Sequence, residues 1–158
     1  MFLFFLLHGF FLSAFALPLS QRSAPISPCK VTGNFPTVTR VLLGKIPPQS
    51  TRQSYIYDSH VFHYVVSGGL TYLCMSDEQG SHRIPFSFLA KIEDLFGAKY
   101  GTQGLTAIAF SMNDEFSHIL KKEMDYFNNN PEADAVSKVK GQIEDVKNVM
   151  VENIEKVR

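Results

Sequence analysis

The side chains that could carry chemistry are five histidines (His8, His60, His63, His82 and His118), two cysteines (Cys29 and Cys74) and Asp58, an acid beside a turn. A metal site needs such ligands at short, fixed spacings, and the chain has neither a C-x-x-C pair nor histidines at metal-binding intervals. Asp58, His60 and Cys74 could be drawn as acid, base and nucleophile around one turn. A pleated hairpin brings many such polar groups together, so ordinary hairpin packing is the preferred reading. Gly97, Gly101 and Gly104 lack the strand-to-helix setting of a phosphate loop and read as turn residues. These residues call for no metal, cofactor or enzymatic reaction.

Composition narrows the remaining classes. Fifteen basic and 15 acidic residues cancel to a formal charge of zero, which argues against non-specific nucleic-acid binding. With 45% apolar residues, 14 Phe and 6 Tyr, the chain can build a core, and its 158 residues suit one domain plus tails. Two cysteines are too few for a disulfide-stapled scaffold, so both read as free thiols.

The elements that would position these residues follow from periodicity. Residues 1–18 are apolar apart from His8 and Ser13, and Ala14-Phe15-Ala16 resembles a small-residue cleavage site. That segment reads as signal-like or anchor-like, although no Lys or Arg precedes it and it is short for a membrane span. Residues 19–33, rich in Ser and Pro, read as a linker. Asn34 before Pro36 predicts a helix start, with Phe35, Val38, Val41, Leu42 and Ile46 on one face, ended by Pro47-Pro48. Between Ser54 and Ser76 the period becomes two: Phe62, Tyr64 and Val66 lie on one face, Val61, His63 and Val65 on the other. Ser67-Gly68-Gly69 predicts a hairpin turn between VFHYVV and LTYLCM. Helical spacing returns after Pro85, a loop is expected over GTQGLTAIAF, and Asn113 is placed to cap a further helix that stops at Asn128-Asn129-Asn130. The fold class is therefore α+β, an antiparallel sheet with helices packed on its faces, and more strands are expected upstream.

The last segment, 131–158, carries a different rhythm. Val136, Val139, Ile143, Val146, Met150, Asn153 and Val157 alternate spacings of three and four, the a/d pattern of a coiled coil. Charged residues such as Lys140, Glu144, Lys147 and Glu155 fill much of the other faces. A stripe this narrow needs a covering surface, either partner helices or the chain's own sheet, and Gly141 weakens the helix when it stands alone. Asn153 interrupts the apolar seam, a device that fixes register and partner number.

These residues resemble a known family. The run VSKVKGQIEDVKNVMVENIEKV looks like the N-terminal half of an R-SNARE motif from the longin-type vesicle-associated membrane proteins. Upstream, GNF, KIPP, VFHYVVSGGLTYLCMSDE, RIPFSFLAKIEDLFGAKYG and MNDEFSHILKKEM follow in longin-domain order, so the resemblance spans residues 34–158. It implies a longin (profilin-like) domain over 34–130, followed by the coiled-coil motif over 131–158. The seam residues would then be layers that zip against Q-SNARE helices. Longin domains similar to this one bind their own SNARE motif or trafficking adaptors in a groove between the first helix and the next strand. Val38, Leu42 and Tyr55 are the candidates for that groove and could equally be ordinary core, while Gln53 stands where an apolar residue is usual.

The chain departs from the family at both ends. The Phe-rich segment stands where two opening strands are expected, so those strands are missing or replaced. The family's ionic-layer arginine would fall beyond Val157 and out of register with Arg158, which suggests a truncated or regulatory form. The implied location is the cytosolic face of vesicles or endomembranes. Residues 1–18 conflict with this and raise the alternative of a membrane-anchored or secretory-pathway longin-like interaction module without SNARE assembly.

Overall fold

The computed structural model describes residues 2–7, 10–12, 35–46, 49–57, 59–78, 82–107, 111–130 and 150–153. A first strand, β1 (Phe2–Leu7), pairs antiparallel with β2 (Phe10–Leu12). Helix α1 (Phe35–Lys45) follows, then three antiparallel strands: β3 (Thr51–Tyr57), β4 (His60–Ser67) and β5 (Leu70–Asp77). Helix α2 (Arg83–Tyr100) leads through a short 3-10 helix (Gly101–Leu105) to α3 (Asn113–Asn129). A last strand, β6 (Met150–Asn153), closes one edge. The sheet runs β2-β1-β5-β4-β3-β6, antiparallel throughout except that β6 lies parallel to β3.

Two apolar layers hold the sheet between the helices. On one face Val38 and Leu42 of α1 pack with Tyr55, Phe62, Tyr64, Val66, Leu73 and Met75. On the other, Phe86, Phe88, Leu89, Ile92 and Phe96 of α2 and Phe116, Leu120 and Phe127 of α3 meet Val65, Leu70, Tyr72 and Cys74. Each such side chain contributes roughly 1.5–3 kcal/mol when fully buried, so the alternation read from the sequence is what fixes the register. Gly68 (φ 58°) and Gly69 (φ 79°) form the predicted turn between β4 and β5.

Several expectations are corrected in detail. Asn113 is the first residue inside α3, not its cap; the cap position is Met112, with no side-chain hydrogen bond. At the other end, Asn129 donates to the Asp125 carbonyl at 2.8 Å and Asn130 to that of Tyr126 at 2.7 Å, so the asparagine run ends α3 by satisfying its last carbonyls. Residues 101–105, expected as loop, form a 3-10 helix that starts at Gly101 with φ 51°. The expected cap Asn34 and residues 13–33 lie outside the described residues.

The larger differences lie at the two ends. Phe2–Leu7 and Phe10–Leu12, read from sequence as part of a signal-like or anchor-like segment, are strands in this fold. An uninterrupted apolar run suits a strand buried on both faces as well as it suits a leader, so the pattern alone could not separate the two. Met150–Asn153, expected within a continuous helix over 131–158, are extended. They form a parallel ladder along the outer side of β3.

Candidate functional site

The edge of the sheet at β3 is where the sequence-derived groove residues converge. Val38 and Leu42, one turn apart on α1, are 2% and 0% exposed, and Tyr55 of β3 is 6% exposed. All three belong to one packed layer, with Leu43, Ile46 and Tyr57 half-buried against it. The three groove candidates are thus buried core, and Leu43, Ile46 and Tyr57 lie at the margin of that layer.

Tyr55 stacks on Tyr64 with ring centroids 5.6 Å apart. Gln53, which departs from the apolar residue usual at its position, is buried, and its side-chain carbonyl accepts a 2.6 Å hydrogen bond from the Tyr64 hydroxyl. The side-chain carbonyl of Gln53 is therefore satisfied by a partner directly across the ladder, where Gln53 and Tyr64 are paired. Sequence reasoning missed this pair. The signal was a tyrosine and a glutamine on facing strands, legible only once the register is known.

Along the outer side of β3 runs β6, with Met150 opposite Gln53, Val151 opposite Ser54, Glu152 opposite Tyr55 and Asn153 opposite Ile56. Two of the seven seam residues, Met150 and Asn153, therefore sit at register positions beside β3. Val136, Val139, Ile143, Val146 and Val157 lie outside the described residues.

The opposite face of the same strands carries a buried polar relay. Ser54 is 2.7 Å from Nδ1 of His63, and Nε2 of His63 is 2.9 Å from the Ser76 hydroxyl, so one imidazole links β3, β4 and β5. Burial, with a smaller contribution from the neighbouring His82, lowers the pKa of His63 to about 3, so the ring is neutral near pH 7. Rings of His82 and Phe86 pack edge-on against it. A neutral imidazole with both nitrogens bonded inside a sheet is a structural crosslink and is poorly placed to transfer protons.

The nucleophile constellation drawn from sequence does not assemble around His60. Cys74 is a free thiol, fully buried on the α2 face beside the Pro85 carbonyl, and burial pushes its pKa well up. His60 faces Asp77 across the ladder, and its Nδ1 is 3.4 Å from Ser59. Asp58 and Cys29 lie outside the described residues. Among the described residues, no three His, Cys, Asp or Glu side chains converge as metal ligands, and no helix is long and apolar enough to cross a membrane.

With the topology and the occupied β3 edge established, comparison with known proteins decides the family. The Longin family, described as a regulated-SNARE-like domain, matches residues 26–120. This chain belongs to the longin family. It is 47% identical over 122 residues to vesicle-associated membrane protein 7B of Dictyostelium discoideum, covering 77% of this chain and 47% of that protein. Vesicle-associated membrane protein 714 of Arabidopsis thaliana is 41% identical over 80% of this chain and 58% of its own length. Vesicle-associated membrane protein 7 of Mus musculus is 34% identical over 79% of this chain and 57% of its own. The longin chain thus spans about half the length of these relatives. Its α+β architecture agrees with the fold class read from the sequence.

Proposed function

We propose that this longin chain is an R-SNARE-like vesicle-trafficking protein whose seam segment has two alternative seats, the β3 edge of its own sheet and a bundle with Q-SNARE helices. The observation that supports this reading is the parallel pairing of Met150–Asn153 with Gln53–Ile56, because it sets two seam residues along β3, the strand that carries Tyr55. A residue whose backbone is laddered to β3 cannot at the same time have helical φ and ψ, so the two seats exclude one another. Occupying the sheet edge withholds Met150 and Asn153 from a helical bundle. Zippering would withdraw them and leave the groove free for a trafficking adaptor.

Family membership supports the partner class, since the relatives are named as vesicle-associated membrane proteins. The implied location is the cytosolic face of vesicles or endomembranes, where Q-SNARE helices would be available. In the bundle, Val136, Val139, Ile143, Val146, Met150 and Val157 would be apolar layers, with Asn153 setting register. Replacing Ile143 and Met150 together by Asp puts two charges into that seam. Capture of the chain by Q-SNARE helices is then expected to be lost, and undiminished capture would count against the seam assignment.

A further inference from the structure

We propose that the cavity between the β4–β5 turn and the last turns of α2 is a seat for a basic side chain, arginine or lysine, presented by a partner polypeptide. The cavity holds about 470 Å³, enough for one long side chain and parts of its neighbours. Its glycines single it out. Gly68 and Gly101, both in the lining, have φ of 58° and 51°, so their backbone conformation accounts for them. Gly97, expected from sequence as a turn residue, lies inside α2 and has no such reason. Glycine weakens a helix relative to alanine, yet a Cβ at Gly97 would meet nothing within 4 Å. No neighbour in the chain needs that space, so the gap in the wall is open to something from outside.

The chemistry of the wall selects a cation with an aliphatic stem. Leu70 and Tyr72 are its buried part, and Leu105, 45% exposed, gives an apolar rim. Glu93 is half-buried and forms no hydrogen bond or ion pair among the described residues, and Asp94 stands beside it in the lining. No Lys or Arg lines the cavity, and Lys99, in the last turn of α2, is held by Glu115 of α3 at 3.2 Å. The negative end of the α2 dipole adds to the field. Burial first, and the Glu93 carboxylate second, push the pKa of Tyr72 up, so that field reaches the cavity wall. A bare metal ion would use the carboxylates alone. An arginine or lysine also covers Leu70 and Leu105 with its stem while its head meets Glu93. Leu70 and Tyr72 belong to the layer under α2, opposite α1, so occupancy here is independent of where the seam segment sits.

The test is a titration of the isotope-labelled full chain, read on the amide signals of Gly97 and Gly101. The probes are two end-blocked tripeptides, Leu-Arg-Leu and the same peptide with citrulline, which keeps the shape of arginine without its charge. The arginine peptide is expected to give saturable shifts at both amides, and the citrulline peptide to bind about tenfold or more weakly. Glu93→Gln should weaken the arginine peptide by about the same factor. Gly97→Leu, which fills an open position with a better helix former, should abolish the shift at Gly101 while the thermal midpoint is unchanged or raised. No saturable shift with the arginine peptide, equal binding of the citrulline peptide, undiminished binding by either variant, or loss of the fold in Gly97→Leu would overturn the proposal. Shifts at these amides that follow protein concentration alone would put a second copy in the cavity and overturn it as well.

Discussion

At the scale of single residues, two buried polar contacts flank β3 from opposite faces, and each makes a measurable claim. Removing the Tyr64 hydroxyl by Tyr64→Phe leaves the buried Gln53 carbonyl without its donor. The expected cost is about 1–3 kcal/mol, read as a lower urea midpoint at unchanged slope. His63 makes a pH-dependent claim. Its folded pKa is about 3 against an ordinary 6.5, so the unfolded chain takes up the proton first. Its contribution to stability is therefore complete above about pH 6.5, falls as pH drops through that value, and levels off near pH 3, a loss of a few kcal/mol in all. A His63→Gln chain, which keeps hydrogen-bonding groups without the titration, should have a flatter stability curve across that window. An equally steep curve would assign the pH dependence to other groups. Cys74, by contrast, should stay inert to thiol reagents while the sheet is folded, because burial disfavours its thiolate.

At the scale of elements, the β4–β5 hairpin shows what local chemistry can specify. A side chain at Gly69 would have to adopt φ near 79°, and its Cβ would stand 3.2 Å from Leu105 Cδ2. Gly69→Ala is expected to cost about 1–2 kcal/mol, measurable as a fall in thermal midpoint. This hairpin, α1 and the spans of α2 and α3 were legible because period and punctuation agree there: alternating Val, Phe and Tyr around Gly68-Gly69, and Pro47-Pro48 after the apolar face of α1. Val38, Leu42 and Tyr55 were legible as one apolar surface for the same reason, although only the packing shows them as buried core. Elements defined by long-range pairing were not legible. Strand β1 has apolar residues at both phases of a strand, so its period is silent and its partner β5 lies more than sixty residues away. Strand β6 was hidden for a different reason. Its residues carry a helical spacing that is real in the sequence, yet the open edge of β3 can recruit four of them as a strand. The 3-10 turn at Gly101–Leu105 follows from helix termination geometry and has no periodic signature.

At the scale of the whole molecule, the proposed function requires that the β6 edge of the sheet can exchange while the rest stays paired. Strands β1, β5, β4 and β3 are flanked on both sides by other strands, whereas β2, three residues, and β6, four residues, are the outer strands, and β6 is joined to the rest along β3. Short edge strands are the least costly part of a sheet to release, so an exchangeable segment belongs there. In the proposed function the layered core is the holder, and the seam segment would take whichever of its two seats covers it. The central claim is that these seats exclude one another, and amide hydrogen exchange at β3 tests it most directly. Exchange over Gln53–Ile56 should be slow in the free chain and accelerate when saturating Q-SNARE helices engage residues 136–157. Stable assembly with those helices while Gln53–Ile56 stay as protected as before would contradict the account.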